Sequence, residues 1–261
     1  MPFDPGFAIR PTFSPLGFDY GPGVFGPTPE LRGLDAIRKS LKDPSCNGPE
    51  VVYAISMDIG KAVHKPLLQK QMLLYGAVTY AAGRLGREPV RSQGHIHSVS
   101  AHSGWSPPEI YEIWTGKALI YLQETADDDP GRCFAVEAGP GDVVVVPPNW
   151  AHMTISASPT SPLAFGAWCD REYGFEYEAV RAHGGLAWFP VFTSVLSDEV
   201  VFEANPAYRA SEVVRKAPAD YSRLGIQTAV PIYRQFERNP ELFQFVSQPG
   251  LKAEVWKDFT P

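Results

Sequence analysis

EIYEIWTGKALIYLQ, residues 109–123, reads as two apolar runs of strand length around the turn signal Thr115-Gly116-Lys117. Ile, Tyr, Trp and Leu in such runs fit the pleated, packed surface of a sheet. Working outward, residues 51–55, 72–80, 133–136, 143–146, 152–156 and 163–168 repeat the pattern, separated by Gly, Pro or Asp clusters. About eight short strands with no helical period between them favour a barrel or jelly roll over a βαβ fold. Turn formers are abundant throughout: 26 Pro and 23 Gly in 261 residues.

The flanks read differently. Residues 1 to about 30 hold seven prolines (Pro2, Pro5, Pro11, Pro15, Pro22, Pro27 and Pro29), which remove donors and fix φ. This arm is expected to be extended, lying across the core or a partner subunit. Leu31, Leu34, Ile37 and Leu41 recur at three- and four-residue steps, which predicts a short helix over 29–41, stopped by Asp43-Pro44. Beyond Asp170, residues 176–183 read as a helix ended by Gly184-Gly185. Residues 211–216 read as one or two helical turns, and 232–238 and 240–246 as short amphipathic helices. The organisation expected is an arm and helix over 1–50, a barrel over 51–200 and an extension packed on it over 201–261.

Composition excludes several classes. Apolar residues at 44% and charged residues at 20% give enough to bury a core. With 23 Lys and Arg against 29 Asp and Glu, net −6, no basic surplus is available for a nucleic-acid backbone. There is no run of 18 apolar residues for a membrane span, and Met1 to Arg10 lacks the pattern of a signal peptide. Cys46, Cys133 and Cys169 are too few and scattered for a disulfide framework. A cytoplasmic globular protein is expected.

Chemistry concentrates in two places. In Gly94-His95-Ile96-His97 the two imidazoles share a strand face and can reach one ion. Glu109 opens the next strand and can close a two-His-one-carboxylate face that leaves coordination positions free for substrate. His152, behind Pro147-Pro148-Asn149-Trp150-Ala151, supplies a fourth ligand. Such a set suits Fe, Mn, Ni, Co or Zn better than Mg or Ca. His64 and His183 read as surface or satisfied polar residues.

His95-x-His97 with Glu109-x6-Gly116 resembles the first cupin motif, and Gly141-x5-Pro147-x-Asn149-x2-His152 the second. Within cupins the chain resembles the metal-dependent, archaeal-type glucose-6-phosphate isomerases over about residues 30 to 208. VVVPPNWAHMT, residues 144–154, carries the most specific likeness, beside Thr79 to Gly83, Ser92-x-Gly94-His95-x-His97, Glu109-Ile110-Tyr111 and Asp170 to Leu186. The resemblance implies an all-β cupin double-stranded β-helix with the proline-rich arm and short C-terminal helices. It implies one divalent transition metal per subunit, iron foremost, on His95, His97, Glu109 and His152, and a homodimer.

Glu109 and Tyr111 then stand at catalytic positions, and Thr79, Ser92, Gly94 and Tyr177 at substrate contacts, with Val78 as an alternative to Thr79. The implied reaction interconverts glucose 6-phosphate and fructose 6-phosphate. Residues 98–108 form a longer loop than the family's, holding His102. Asn149 and Trp168 stand where the family has Tyr, and Phe175 where it has His, which removes polar pocket groups. Arg84, Arg87 and Arg91 are candidates to compensate at the phosphate. Trp105, Trp168 and Phe175 would instead suit an Fe(II) cupin dioxygenase, and a non-catalytic sugar-binding cupin is a further alternative.

Overall fold

A computed structural model describes residues 3–261; Pro2 of the proline arm lies outside it. Two sheets face each other. The larger orders its strands Val143–Val146, Glu109–Thr115, Leu163–Asp170, Leu73–Tyr80, Val51–Met57 and Glu30–Gly33, all antiparallel. The smaller runs Ala151–Ser156, Ala118–Gln123, Cys133–Ala138 and Val213–Lys216, the last joining parallel. Ile113, Phe165 and Leu74 of the first meet Ile120, Leu122 and Val136 of the second. This is the cupin jelly roll that the strand pattern and the resemblance lead one to expect.

Both sheets are also covered on their outer faces, which is why their strands read as continuous apolar runs. In Leu163–Asp170, Phe165, Ala167 and Cys169 point inward while Trp168 points outward. Outside the larger sheet lie Phe7 and Ile9 of the arm with Tyr233, Phe236, Phe243 and Phe245 of the C-terminal segment. Outside the smaller sheet lie Val180, Leu186, Phe192 and Tyr208.

The arm is extended and lies across the core, as expected: Ile9–Phe13 and Leu16–Tyr20 pair as a hairpin, and the Phe7 and Tyr233 rings are 4.2 Å apart. Three other expectations about the flanks are corrected. The helix expected over 29–41 is instead the edge strand Glu30–Gly33 followed by 3₁₀ turns Leu34–Ala36 and Arg38–Ser40. The three-residue recurrence of Leu34 and Ile37 is a 3₁₀ period as well as a helical one. Residues 211–216 form no helix: Val213–Lys216 pairs with the barrel strand, as its two β-branched residues favour. Over 240–246 only Gln244–Ser247 is helical, whereas Ile232–Arg238 and Glu178–Ala182 form where expected. Among the described residues no helix is long and apolar enough to cross a membrane.

Glu112 pins the C-terminal segment to the barrel. Its Oε1 accepts from the Ile232 amide at 2.7 Å, and its Oε2 from the Trp114 indole at 3.3 Å. Burial pushes its carboxyl up to about 8, against the lowering effect of those two bonds. The folded state therefore keeps a proton that the unfolded chain has released. The resulting stabilisation is whole below the unfolded value near 4.5 and is lost as pH rises toward 8. Glu112→Gln is expected to flatten this dependence: its stability relative to wild type rises by a few kcal/mol (~2–4) between pH 5 and 8. Urea unfolding at the two pH values measures it, and parallel curves contradict it.

Candidate metal centre

The HxH segment and the His152 strand are hydrogen-bonded to each other. His95 N donates to His152 O at 3.1 Å and His152 N to His95 O at 3.0 Å, while Ile96–His97 pairs with Phe175–Glu176. This bridge brings the imidazoles together, with ring centroids 4.3 Å apart for His95 and His152 and 4.9 Å for His97 and His152. Glu109, on the inward parity of its strand, joins them, so that one ligand atom from each of the four residues lies within 4.8 Å of every other. Among the described residues no other group of His, Cys, Asp or Glu has this spacing.

The donor set fits a divalent transition ion. His97 Nδ1 lies 2.8 Å from the Pro107 carbonyl and His152 Nδ1 3.2 Å from that of Trp150, which places the ring protons there and turns each Nε2 lone pair inward. Nε2 of His95 and of His152 is buried with no hydrogen-bond partner. Burial, followed by His152 and His97, holds His95 well below the usual imidazole value, so it is neutral, as ligation requires.

Both oxygens of Glu109 are held. The Tyr111 hydroxyl donates to Oε2 at 2.6 Å, and the Cys169 thiol to Oε1 at 3.0 Å. Cys169 plays no part in the sequence reading beyond the cysteine count; its inward parity beside Glu109 was the available signal. Burial raises both Tyr111 and Cys169 well above their usual values, so both remain donors. Cys169→Ala is expected to weaken metal binding about tenfold, the scale of an outer-shell loss, with Cys169→Ser recovering most of it. Competition against a chelating indicator measures this, and equal affinities in all three proteins contradict it.

His95 and Glu109 of the cluster line a cavity in the barrel. Ser92, Tyr111 and Tyr177 line it, and Ser92 Oγ accepts from Thr154 N at 3.1 Å. Gly94 sits beside the wall with φ +88, where a Cβ would strike Leu186 at 2.9 Å. Thr79 does not line the cavity; it lies on the outward parity of its strand and Val78 takes the wall. Tyr53, Tyr80, Gln93 and Phe165 line it and were missed; Tyr80 and Val78 share the inward parity.

The pocket departures also resolve. Phe175 does line the cavity, 4.5 Å from the His95 ring. Trp168 points to the opposite face, Trp105 packs toward Gly250, and Asn149 is exposed at a φ of +69, a turn conformation Asn tolerates. Two of the three aromatics that favoured a dioxygenase are thus absent from the cavity wall. Arg91 is buried against Glu88 at 2.7 Å, Arg84 stacks on Phe192 and Arg87 pairs with Glu203, so none of them lines the cavity. Loop 98–108 is tied down: Ser100 Oγ and the His102 amide donate to Glu172 at 3.2 and 2.7 Å. His102 is exposed and off the cavity wall. His64 contacts the Tyr233 hydroxyl at 3.2 Å, and His183 stacks on Tyr208, as satisfied polar residues do.

The sequence profile described as Glucose-6-phosphate isomerase (GPI) matches residues 29–201, which contain every ligand and most of both sheets. The chain belongs to the glucose-6-phosphate isomerase family. Among relatives named glucose-6-phosphate isomerase, that of Thermococcus litoralis is 30% identical over 183 residues, 69% of this chain and 84% of its own length. That of Thermococcus kodakarensis is 31% identical over 102 residues, 39% of this chain and 49% of its own length. Solved structures similar to this member of the glucose-6-phosphate isomerase family include an oxalate oxidase, at 14% identity and TM-score 0.35 over 47% of this chain and 53% of that one. The residues after 201 lie outside the family match, and they include all the helices that cover Trp168.

Proposed function

We propose that the protein is a metal-dependent aldose–ketose isomerase interconverting glucose 6-phosphate and fructose 6-phosphate. The observation that carries this reading is the convergence of His95, His97, Glu109 and His152 at a cavity, in a chain of this family. The four residues hold one divalent transition ion, Fe foremost, which when bound supplies Lewis-acid polarisation of the sugar's C1 and C2 oxygens. The chain's own groups do the rest. Glu109 is the carboxylate on the cavity wall and the acceptor for a C2 proton in an enediol route. Its two neutral donors stabilise it as an anion, which favours its ligand role and hence direct hydride transfer between the carbons. Tyr111 orients Glu109 and can share its proton, while Ser92, the Gly94 backbone and Tyr177 position the sugar. Phe165 and Phe175 shield the reacting end from water.

Homodimer assembly belongs to the same reading. The outer edge of Glu30–Gly33 is unpaired, and Leu31 on it is 55% exposed. A coupled assay on protein loaded with Fe(II), Mn(II) or Ni(II) tests the activity. Turnover of glucose 6-phosphate supports it, and no turnover with any of the three ions retires it. Metal and sugar binding without product would mark a binding protein instead.

A further inference from the structure

Arg91 lies off the cavity wall, yet its side chain ties that wall to the rest of the molecule. It is 1% exposed, and its guanidinium reaches three separate segments of chain. Nε donates to Glu88 Oε1 at 2.8 Å, Nη2 to the Ser40 carbonyl at 2.6 Å and Nη1 to the Ser92 carbonyl at 2.9 Å. Glu88 is buried too, and its second oxygen accepts from the Lys42 amide at 2.8 Å. The pair thus joins the 3₁₀ turn Arg38–Ser40 to the stretch that leads into the histidine ligands.

That stretch is cavity wall: Ser92, Gln93 and His95 line it. One side of it is stitched to the strand Ala151–Ser156. Arg91 forms a backbone bridge with Ile155, Ser92 N donates to Thr154 O at 3.0 Å, and Ser92 Oγ accepts from Thr154 N at 3.1 Å. The Ser92 carbonyl is held instead by Arg91. A third segment closes over the same point. A Cβ on Gly185 would come within 2.6 Å of the Ser40 carbonyl, and one on Gly94 within 2.9 Å of Leu186, so residues 184–186 leave little slack around the pair.

Stability alone does not call for an ion pair here. Taking two charges out of water costs about as much as their attraction returns, and an apolar pair of similar volume often serves a core as well or better. What an apolar pair lacks is direction, because a guanidinium aims fixed N–H groups at chosen acceptors. We propose that Arg91, held by Glu88, is a positioning residue for the substrate-binding wall: by fixing the Ser92 carbonyl it sets how Ser92 and Gln93 face the cavity. This deepens the isomerase reading and rests on it. His95 is held separately, by its own backbone bridge to His152, so the pair acts on sugar binding and not on the ion.

Steady-state kinetics and thermal unfolding of the full-length, metal-loaded protein separate this role from a structural one. Arg91→Met strands the Glu88 carboxylate and is expected to lower Tm by about 6 °C or more. KM for glucose 6-phosphate is expected to rise about tenfold, the scale of losing a group that orients a ligand, with kcat within about twofold and one ion per chain retained. Combining Glu88→Leu with Arg91→Met removes both charges and is expected to regain most of the lost Tm while KM stays raised. Arg91→Lys keeps the charge beside Glu88 but not the fork that reaches both carbonyls. It is expected to raise KM at near wild-type Tm, and it carries the test should the Met variants fail to fold. A KM that recovers together with Tm in the double variant, or an unchanged KM in a folded single variant, overturns the positioning role. Calorimetry with 6-phosphogluconate keeps that outcome apart from failure of the isomerase reading. Weaker binding in the same variants of a protein without turnover upholds the role and retires the isomerase, whereas neither turnover nor binding in wild type overturns both.

Discussion

His152→Ala is expected to abolish stoichiometric metal uptake and to lower isomerase activity at least about 10²–10³-fold, the scale of losing a charge-stabilising group at a reacting centre. His152 is fully buried, and its ring neighbours those of both His95 and His97. Its Nε2 lies 3.6 Å from Glu109 Oε2. Losing a ligand outright exceeds the roughly 10–100-fold effect of losing an outer-shell group. Alanine keeps the backbone bridge to His95, so the segment retains its register and circular dichroism is expected to remain that of wild type. Metal content after dialysis, read with the coupled assay, checks the claim. A folded variant holding one ion per chain contradicts it.

Trp168→Ala is expected to act on stability, not on the site. The indole is fully buried and stacks on Tyr233 and Phe243, with centroids at 5.6 and 5.5 Å, while Nε1 donates to the Ile232 carbonyl at 3.4 Å. Emptying this position removes one of the main packing contacts between barrel and C-terminal segment, at a cost of about 3–5 kcal/mol. Metal stoichiometry below the lowered Tm is expected to stay at the wild-type value. Urea unfolding measures the loss. A variant of wild-type stability with altered sugar binding would place Trp168 in the cavity after all.

The convergence of His95, His97, Glu109 and His152 was legible because its signal is local: an i, i+2 pair, a carboxylate at a strand start and a His behind a proline turn. What surrounds them was less so, because strands buried on both faces hide their parity. In LAFGAWCD, residues 163–170, apolar residues fill both faces, so hydrophobicity alone does not tell that Cys169 faces Glu109 while Trp168 faces away. Once the inward position of one residue is fixed, alternation fixes the rest. The same rule removes Thr79 from the cavity and admits Tyr80. Outside the barrel, Leu34, Ile37 and Leu41 are buried as their spacing implies, but by 3₁₀ turns that share a three-residue recurrence with a helix. Arg84, Arg87 and Arg91 show the remaining gap. Their partners Phe192, Glu203 and Glu88 are chosen by tertiary packing, which no local spacing encodes.

Titration of the metal-free protein with Mn(II), followed by electron paramagnetic resonance, addresses the centre itself. The expected result is saturation at one ion per chain, with nitrogen couplings in the pulsed spectrum that diminish in His95→Ala, His97→Ala and His152→Ala alike. Saturation at no defined stoichiometry, or nitrogen couplings unchanged in all three variants, would contradict a centre built from these imidazoles and Glu109.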